Sequence, residues 1–76
     1  MTLQIITPES VSEHTVEAVF LPGAAGAFEV LKGHAPIISA LSAGELRWRD
    51  ASGEHAQPLQ GGMVMVENDI IKVCAE

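Results

Sequence analysis

Alternation is the dominant pattern of this chain. In Glu45-Leu46-Arg47-Trp48-Arg49-Asp50, Leu46 and Trp48 point one way and Glu45, Arg47 and Arg49 the other. That is the period of a strand with one buried face. Asp50-Ala51-Ser52-Gly53-Glu54 supplies a turn, and His55 to Gln60 return as its hairpin partner. Met63-Val64-Met65-Val66 is apolar at every position, which predicts a strand covered on both sides. Glu67-Asn68-Asp69 reads as a polar turn into a further strand, Ile70-Ile71-Lys72-Val73-Cys74. Shorter runs at 3–7, 28–32 and 37–42 extend the series.

Glycine and proline stand at positions 8, 22, 23, 26, 33, 36, 44, 53, 58, 61 and 62, so only 9–21 and 63–76 leave more than ten residues unbroken. Helices of ordinary length have little room. Over 9–21 two readings compete. Ser10-x-x-Glu13 has the form of a capping box, and Val16, Val19 and Phe20 have helical spacing. His14 to Leu21, however, is rich in β-branched residues and ends at Pro22-Gly23, and these propensities favour strand. The chain thus reads as eight or more short strands. In so few residues they predict an all-β fold, two antiparallel sheets packed face to face, with residues 1–76 as one domain.

Composition narrows the function. Of 76 residues, 47% are hydrophobic and 18% charged, which is too apolar for a disordered segment. Four Lys+Arg against ten Asp+Glu give a net charge of −6, which argues against nucleic acid and anionic lipid as partners. One cysteine permits no internal disulfide and fits a reducing compartment; Cys74 is read as a buried, inert thiol. The first residues carry no basic and apolar signal segment, and no run of 18 apolar residues occurs.

No reactive constellation emerges. His14, His34 and His55 lie too far apart in sequence to match a metal-ligand motif, and structural or surface roles are expected of them. No nucleophile elbow, phosphate-binding loop or dinucleotide fingerprint is present. Glu9, Glu13 and Glu17 read as a solvated acidic face rather than a catalytic pair. Composition and spacing therefore point away from an enzyme and towards recognition. Leu21-Pro22-Gly23-Ala24-Ala25-Gly26-Ala27-Phe28 is uncharged and slight: either a loop that lets a partner approach, with Phe28 as anchor, or a tight bend packed internally. Lys32-Gly33-His34-Ala35-Pro36 reads as a rigid corner with His34 bonded to the backbone. Trp48 is expected in the core, with an interface anchor as the lesser alternative.

One set of residues is distinctive in combination. Leu21-Pro22-Gly23-x-x-Gly26-x-Phe28-x-Val30-Leu31-x-Gly33-His34-Ala35-Pro36, then Leu41-x-x-Gly44 and Gly61-Gly62-x-x-x-Val66, resembles the N-terminal domain of the ATP synthase epsilon subunit family. Leu3-x-Ile5-x-Thr7-Pro8-Glu9 agrees, so the resemblance spans the chain. It implies a β-sandwich of about ten strands and a non-catalytic central-stalk role in an F-type ATP synthase, with no cofactor and no bound metal. The implied partners are the gamma subunit and the ring of c subunits. The implied location is peripheral, on the cytoplasmic side of the bacterial inner membrane. By this resemblance Ala24, Ala25, Gly26, Ala27 and Phe28 face the ring, with Leu41 and Ser42 as neighbours and His34 near the same end; the gamma-facing surface is left unassigned. Ala27 stands where many relatives carry an acid, which implies a more apolar ring contact. With Val73-Cys74-Ala75-Glu76 at the end of the sandwich, the expectation is a form without the family's C-terminal helical hairpin, its inhibition or its nucleotide site. The rival readings are a small enzyme with a metal on its three histidines and a carbohydrate-binding module using Phe20, Phe28 and Trp48.

Overall fold

A computed structural model describes residues 1–76. It contains nine strands and no helix: β1 (Thr2–Ile6), β2 (Val11–Thr15), β3 (Ala18–Leu21), β4 (Phe28–Leu31), β5 (Ile37–Leu41), β6 (Gly44–Asp50), β7 (Gly53–Leu59), β8 (Gly62–Glu67) and β9 (Ile70–Ala75). Five of them form one sheet in the order β2-β1-β9-β8-β5, and four form the other in the order β4-β3-β6-β7. The two-sheet sandwich is as expected, with two differences. There are nine strands rather than about ten, and one pair is parallel: β1 lies beside β9, Leu3 opposite Ile71 and Ile5 opposite Val73. Parallel neighbours need a long crossover, and here the rest of the chain provides it.

Residues 9–21 make two strands. β2 belongs to the five-stranded sheet and β3 to the four-stranded one, and the chain crosses between layers at Val16-Glu17. The apparent helical spacing of Val16, Val19 and Phe20 arises from this crossing. Val16 and Val19 are buried, while Phe20 lies on the far side of its sheet, beside Arg47. Two-residue connections set the hairpins. Asn68 and Asp69 join β8 to β9 with φ of 52° and 61°, the left-handed conformation that a tight hairpin requires. The hairpin of β6 and β7 turns at Ala51-Ser52, two residues rather than the five expected over 50–54, and this tighter turn sets Trp48 opposite His55. Pro58 is accommodated because β7 is an edge strand.

One core fills the gap between the sheets. Leu3, Ile5, Val64, Val66, Ile71 and Val73 contribute from one side, and Val19, Leu21, Val30, Leu46, Trp48 and Leu59 from the other. No polar or charged residue is buried. Of 45 backbone hydrogen bonds, 35 lie within the strands, so the layers are stiff as well as closely packed.

Turn positions define two ends. Thr7-Ser10, Pro22-Ala27, Ser42-Ala43 and Gln60-Gly61 gather at one of them. There Ala24 N–H donates to Ala40 O at 2.9 Å, Ser42 N–H to Pro22 O at 2.8 Å and Glu76 N–H to Gly61 O at 3.2 Å. Lys32-Pro36, Ala51-Ser52 and Asn68-Asp69 lie at the other end, where Gly33 N–H donates to Asp69 Oδ1 at 2.7 Å.

Candidate interaction surface

Register turns the five-stranded sheet into rows, and its outer face is unexpectedly apolar. Val11 sits opposite Ile6, Ile6 opposite Cys74, Cys74 opposite Met63 and Met63 opposite Ala40. This unbroken apolar row crosses all five strands. The next row runs Glu13, Gln4, Lys72, Met65, Ile38, and beyond it Ile70 faces Glu67. Val11 and Ile38 are each 71% exposed, Met63 46%, Met65 45% and Ile70 46%. A grouped apolar surface rimmed by a few charges marks a docking face, whereas single exposed apolar residues carry no such meaning.

Two sequence expectations are corrected by this face. Met63-Val64-Met65-Val66 is not covered on both sides: Val64 and Val66 enter the core, while the two methionines are open to solvent. Cys74 is exposed rather than buried, because strand alternation sends Val73 inward and its neighbour outward. An apolar position of the wrong parity was the available signal. A strand buried by two layers carries the same signal, so sequence alone could not separate them.

The loop predicted to face a partner lies against this surface. Gly23 bridges to Leu41, and the bond from Ala24 to Ala40 carries the loop across to the end of the apolar row. Ala24, Ala25, Gly26 and Ala27 are exposed, whereas Phe28 turns partly into the core and is no projecting anchor. Glycine is needed at position 23: a Cβ there would collide with the Gly26 carbonyl and come within 2.9 Å of the Phe28 ring. Leu41 is buried and Ser42 exposed beside the loop. His34 does not join them. β4 leads away from Phe28 and β5 returns to Leu41, so His34 caps the opposite end, its Nδ1 2.7 Å from Ala35 O.

The chemistry-bearing side chains do not assemble a reactive site. His14 and His55 lie against Trp48, with ring centroids at 4.9 and 5.5 Å, far from the corner that holds His34. No group of three His, Cys, Asp or Glu side chains is placed to hold a metal ion. Asp50, Ser52 and His55 do meet: Ser52 Oγ donates to Asp50 Oδ1 at 2.7 Å, and His55 Nε2 lies 3.1 Å from both oxygens. A proton relay needs acid and nucleophile on different ring nitrogens, and here both share Nε2. The cluster instead organises a turn. Hydrogen bonds from Ser52, with a smaller share from His55, hold the Asp50 carboxyl down at about 2. The aromatic residues offer no sugar-stacking platform, since Trp48 is buried and the Arg47 guanidinium lies 5.1 Å over the Phe20 ring.

The fold is a two-sheet β-sandwich with one apolar outer face. The sequence places it more closely: the chain belongs to the family of the ATP synthase Delta/Epsilon chain, beta-sandwich domain, whose pattern matches residues 1–76. It is 42% identical to the ATP synthase epsilon chain of Prochloron didemni, over 96% of this chain and 54% of that one. It is 38% identical to the epsilon chain of Anaeromyxobacter sp. (strain Fw109-5), over 100% of this chain and 58% of that one. The chain thus spans about half the length of the curated relatives it matches. The fold is shared with a subunit of the Euglena gracilis mitochondrial ATP synthase (TM-score 0.88, 19% identity, 96% of this chain and 48% of that one). It is shared too with one in the central stalk and c-ring of the Tetrahymena thermophila enzyme (TM-score 0.80, 15% identity, 99% and 62%).

Proposed function

We propose that residues 1–76 form one rigid body in the central stalk of an F-type ATP synthase, gripped on one face by the gamma subunit and touching the c-subunit ring with its end loops. The carrying observation is the row Val11, Ile6, Cys74, Met63, Ala40, which is apolar across the whole sheet and, apart from the half-buried Ile6, exposed. Gamma covers this row together with Ile38 and Met65. Burial of apolar area supplies most of the binding, and Glu13 and Glu67 at the margins, with Lys72 on the central strand, fix the register. The exposed loop Ala24 to Ala27, with Ser42, meets the ring through small side chains, without the charge that an acid at position 27 would bring. The domain does no chemistry. Its dense core and strand ladders let it turn with the shaft rather than deform. Through its partners it is peripheral to the membrane, on the cytoplasmic side in a bacterium; no helix of its own is long and apolar enough to cross.

The test is reconstitution with the matching gamma subunit. A stable complex at micromolar concentration is expected, and its absence overturns the reading. Cysteines introduced at Ala25 and at His34 separate the two ends in an assembled complex: the first is expected to cross-link to the c-ring and the second is not.

A further inference from the structure

The side of the sandwich bounded by the edge strands β2 and β7 is closed by an aromatic contact that the docking surfaces do not use. Trp48 projects from β6 into the core and is 6% exposed, yet its indole Nε1–H has no hydrogen-bond partner. A buried donor left unmade is costly, so the ring is held by its faces. His14 reaches it from the five-stranded sheet at 4.9 Å and 35° between planes; His55 reaches it from the four-stranded sheet at 5.5 Å and 23°. One titratable ring from each layer thus meets on the protein's single tryptophan.

We propose that this three-ring contact is a proton-sensitive clasp, which closes the β2–β7 side of the sandwich more tightly when the two imidazoles carry protons. An imidazolium against an indole face gains a cation–π attraction that the neutral ring lacks. Around His55 the groups in reach are Asp50 and Ser52, and Asp50 stays ionised throughout the imidazole range, so a proton on His55 also makes a charge-assisted bond. Around His14 the neighbours are Ser12 Oγ at 3.3 Å, the paired Leu3 and Trp48 itself. Strand alternation sends Glu13, Glu54, Arg47 and Arg49 to the outer faces, so no buried cation opposes either ring. The clasp uses none of the side chains assigned to the gamma and ring contacts, although β2 carries both His14 and, on its outer face, Val11 and Glu13.

Tryptophan emission reads the clasp directly, because a protonated imidazole quenches an adjacent indole. Between pH 8 and 5 the emission is expected to fall. His14→Gln and His55→Gln each remove part of the response, and the double variant is flat. After correction for intrinsic rates, β2 amides exchange about threefold more slowly at pH 5.5 than at 7.5. Should the variants fail to fold, the indole N–H resonance of the unaltered protein decides: it moves with pH if the clasp titrates. A flat emission curve, a static indole resonance, unchanged or faster β2 exchange, or a full response in the double variant overturns the proposal.

Discussion

The two outer faces of this sandwich are built from the same alternating strands and have opposite characters. On the four-stranded sheet the outward positions read Glu29, Phe20, Arg47, Ala56 in one row and Leu31, Ala18, Arg49, Glu54 in the next. Charges of both signs are interspersed there. The Arg47 guanidinium covers Phe20, and the contacts Arg47–Glu45 at 4.0 Å and Arg49–Glu17 at 3.9 Å are open to solvent. Such pairs contribute little stability, but they make the face soluble and unattractive to an apolar partner. On the five-stranded sheet the corresponding rows are mostly Val, Ile, Met, Ala and Cys. Folding requires only the inward residues of each sheet, so the outward ones record what each face meets. One meets water. The other is left apolar, and it is the face that the proposed function assigns to the gamma subunit.

The comparison can be broken most directly at its centre. Met63→Glu places a charge within the apolar row, beside Cys74 of the central strand, and is expected to weaken gamma binding by about 100-fold, the loss of one hot spot. Its folding stability should change by less than about 0.5 kcal/mol, since Met63 is 46% exposed and lies outside the core cluster. Arg49→Glu on the other face is the control, with an expected change in binding of no more than about threefold. Titration calorimetry on both variants decides; equal effects would erase the distinction between the faces.

A second substitution asks whether the apolar face depends on backbone geometry beneath it. Gly62 opens β8 with φ of 142°, and a Cβ there would run into the Cys74 carbonyl of the neighbouring strand. Gly62→Ala is expected to cost about 1–3 kcal/mol in urea unfolding and to disturb the Met63–Cys74 pair with it. An unaffected midpoint would show that the strand can shift without harm.

The smallest effect concerns the charged side and its turn. The folded Asp50 carboxyl, at about 2, lies below its ordinary value of 3.8. Its ionised form therefore stabilises the fold fully above that ordinary value, and the contribution is lost as pH falls through about 2. Asp50→Asn removes this dependence. Urea midpoints measured at pH 4.5 and 2.5 should fall less in the variant than in the unaltered protein.

Much of this molecule was legible in its residues. The clean parity of Leu46 and Trp48 against Arg47 and Arg49 marked β6 and its buried face, because a strand with one wet face turns both apolar side chains the same way. Its register with β7 followed only from the two-residue turn in the structure. The turn at Asn68-Asp69 was equally plain, since few residues accept positive φ. The run of residues 9–21 was harder. A chain that passes from one layer to the other inverts its parity at the crossing, and at Val16-Glu17 the local pattern imitates a helix. The candidate site divided in the same way. Ala24 to Ala27 and Ser42 could be nominated from the sequence, and tertiary structure brings them together while sending His34 to the far end, because β4 and β5 run between them.

Local periodicity and turn chemistry were enough for the class of fold and the buried face of β6, and the residues alone show no known catalytic motif. What only the tertiary structure decided was which apolar positions stay outside. Met63, Met65, Ile70 and Cys74 carry the same hydrophobicity whether a second layer covers them or not. Burial is a property of how many layers pack on a strand, and that number is set by residues far away in the chain.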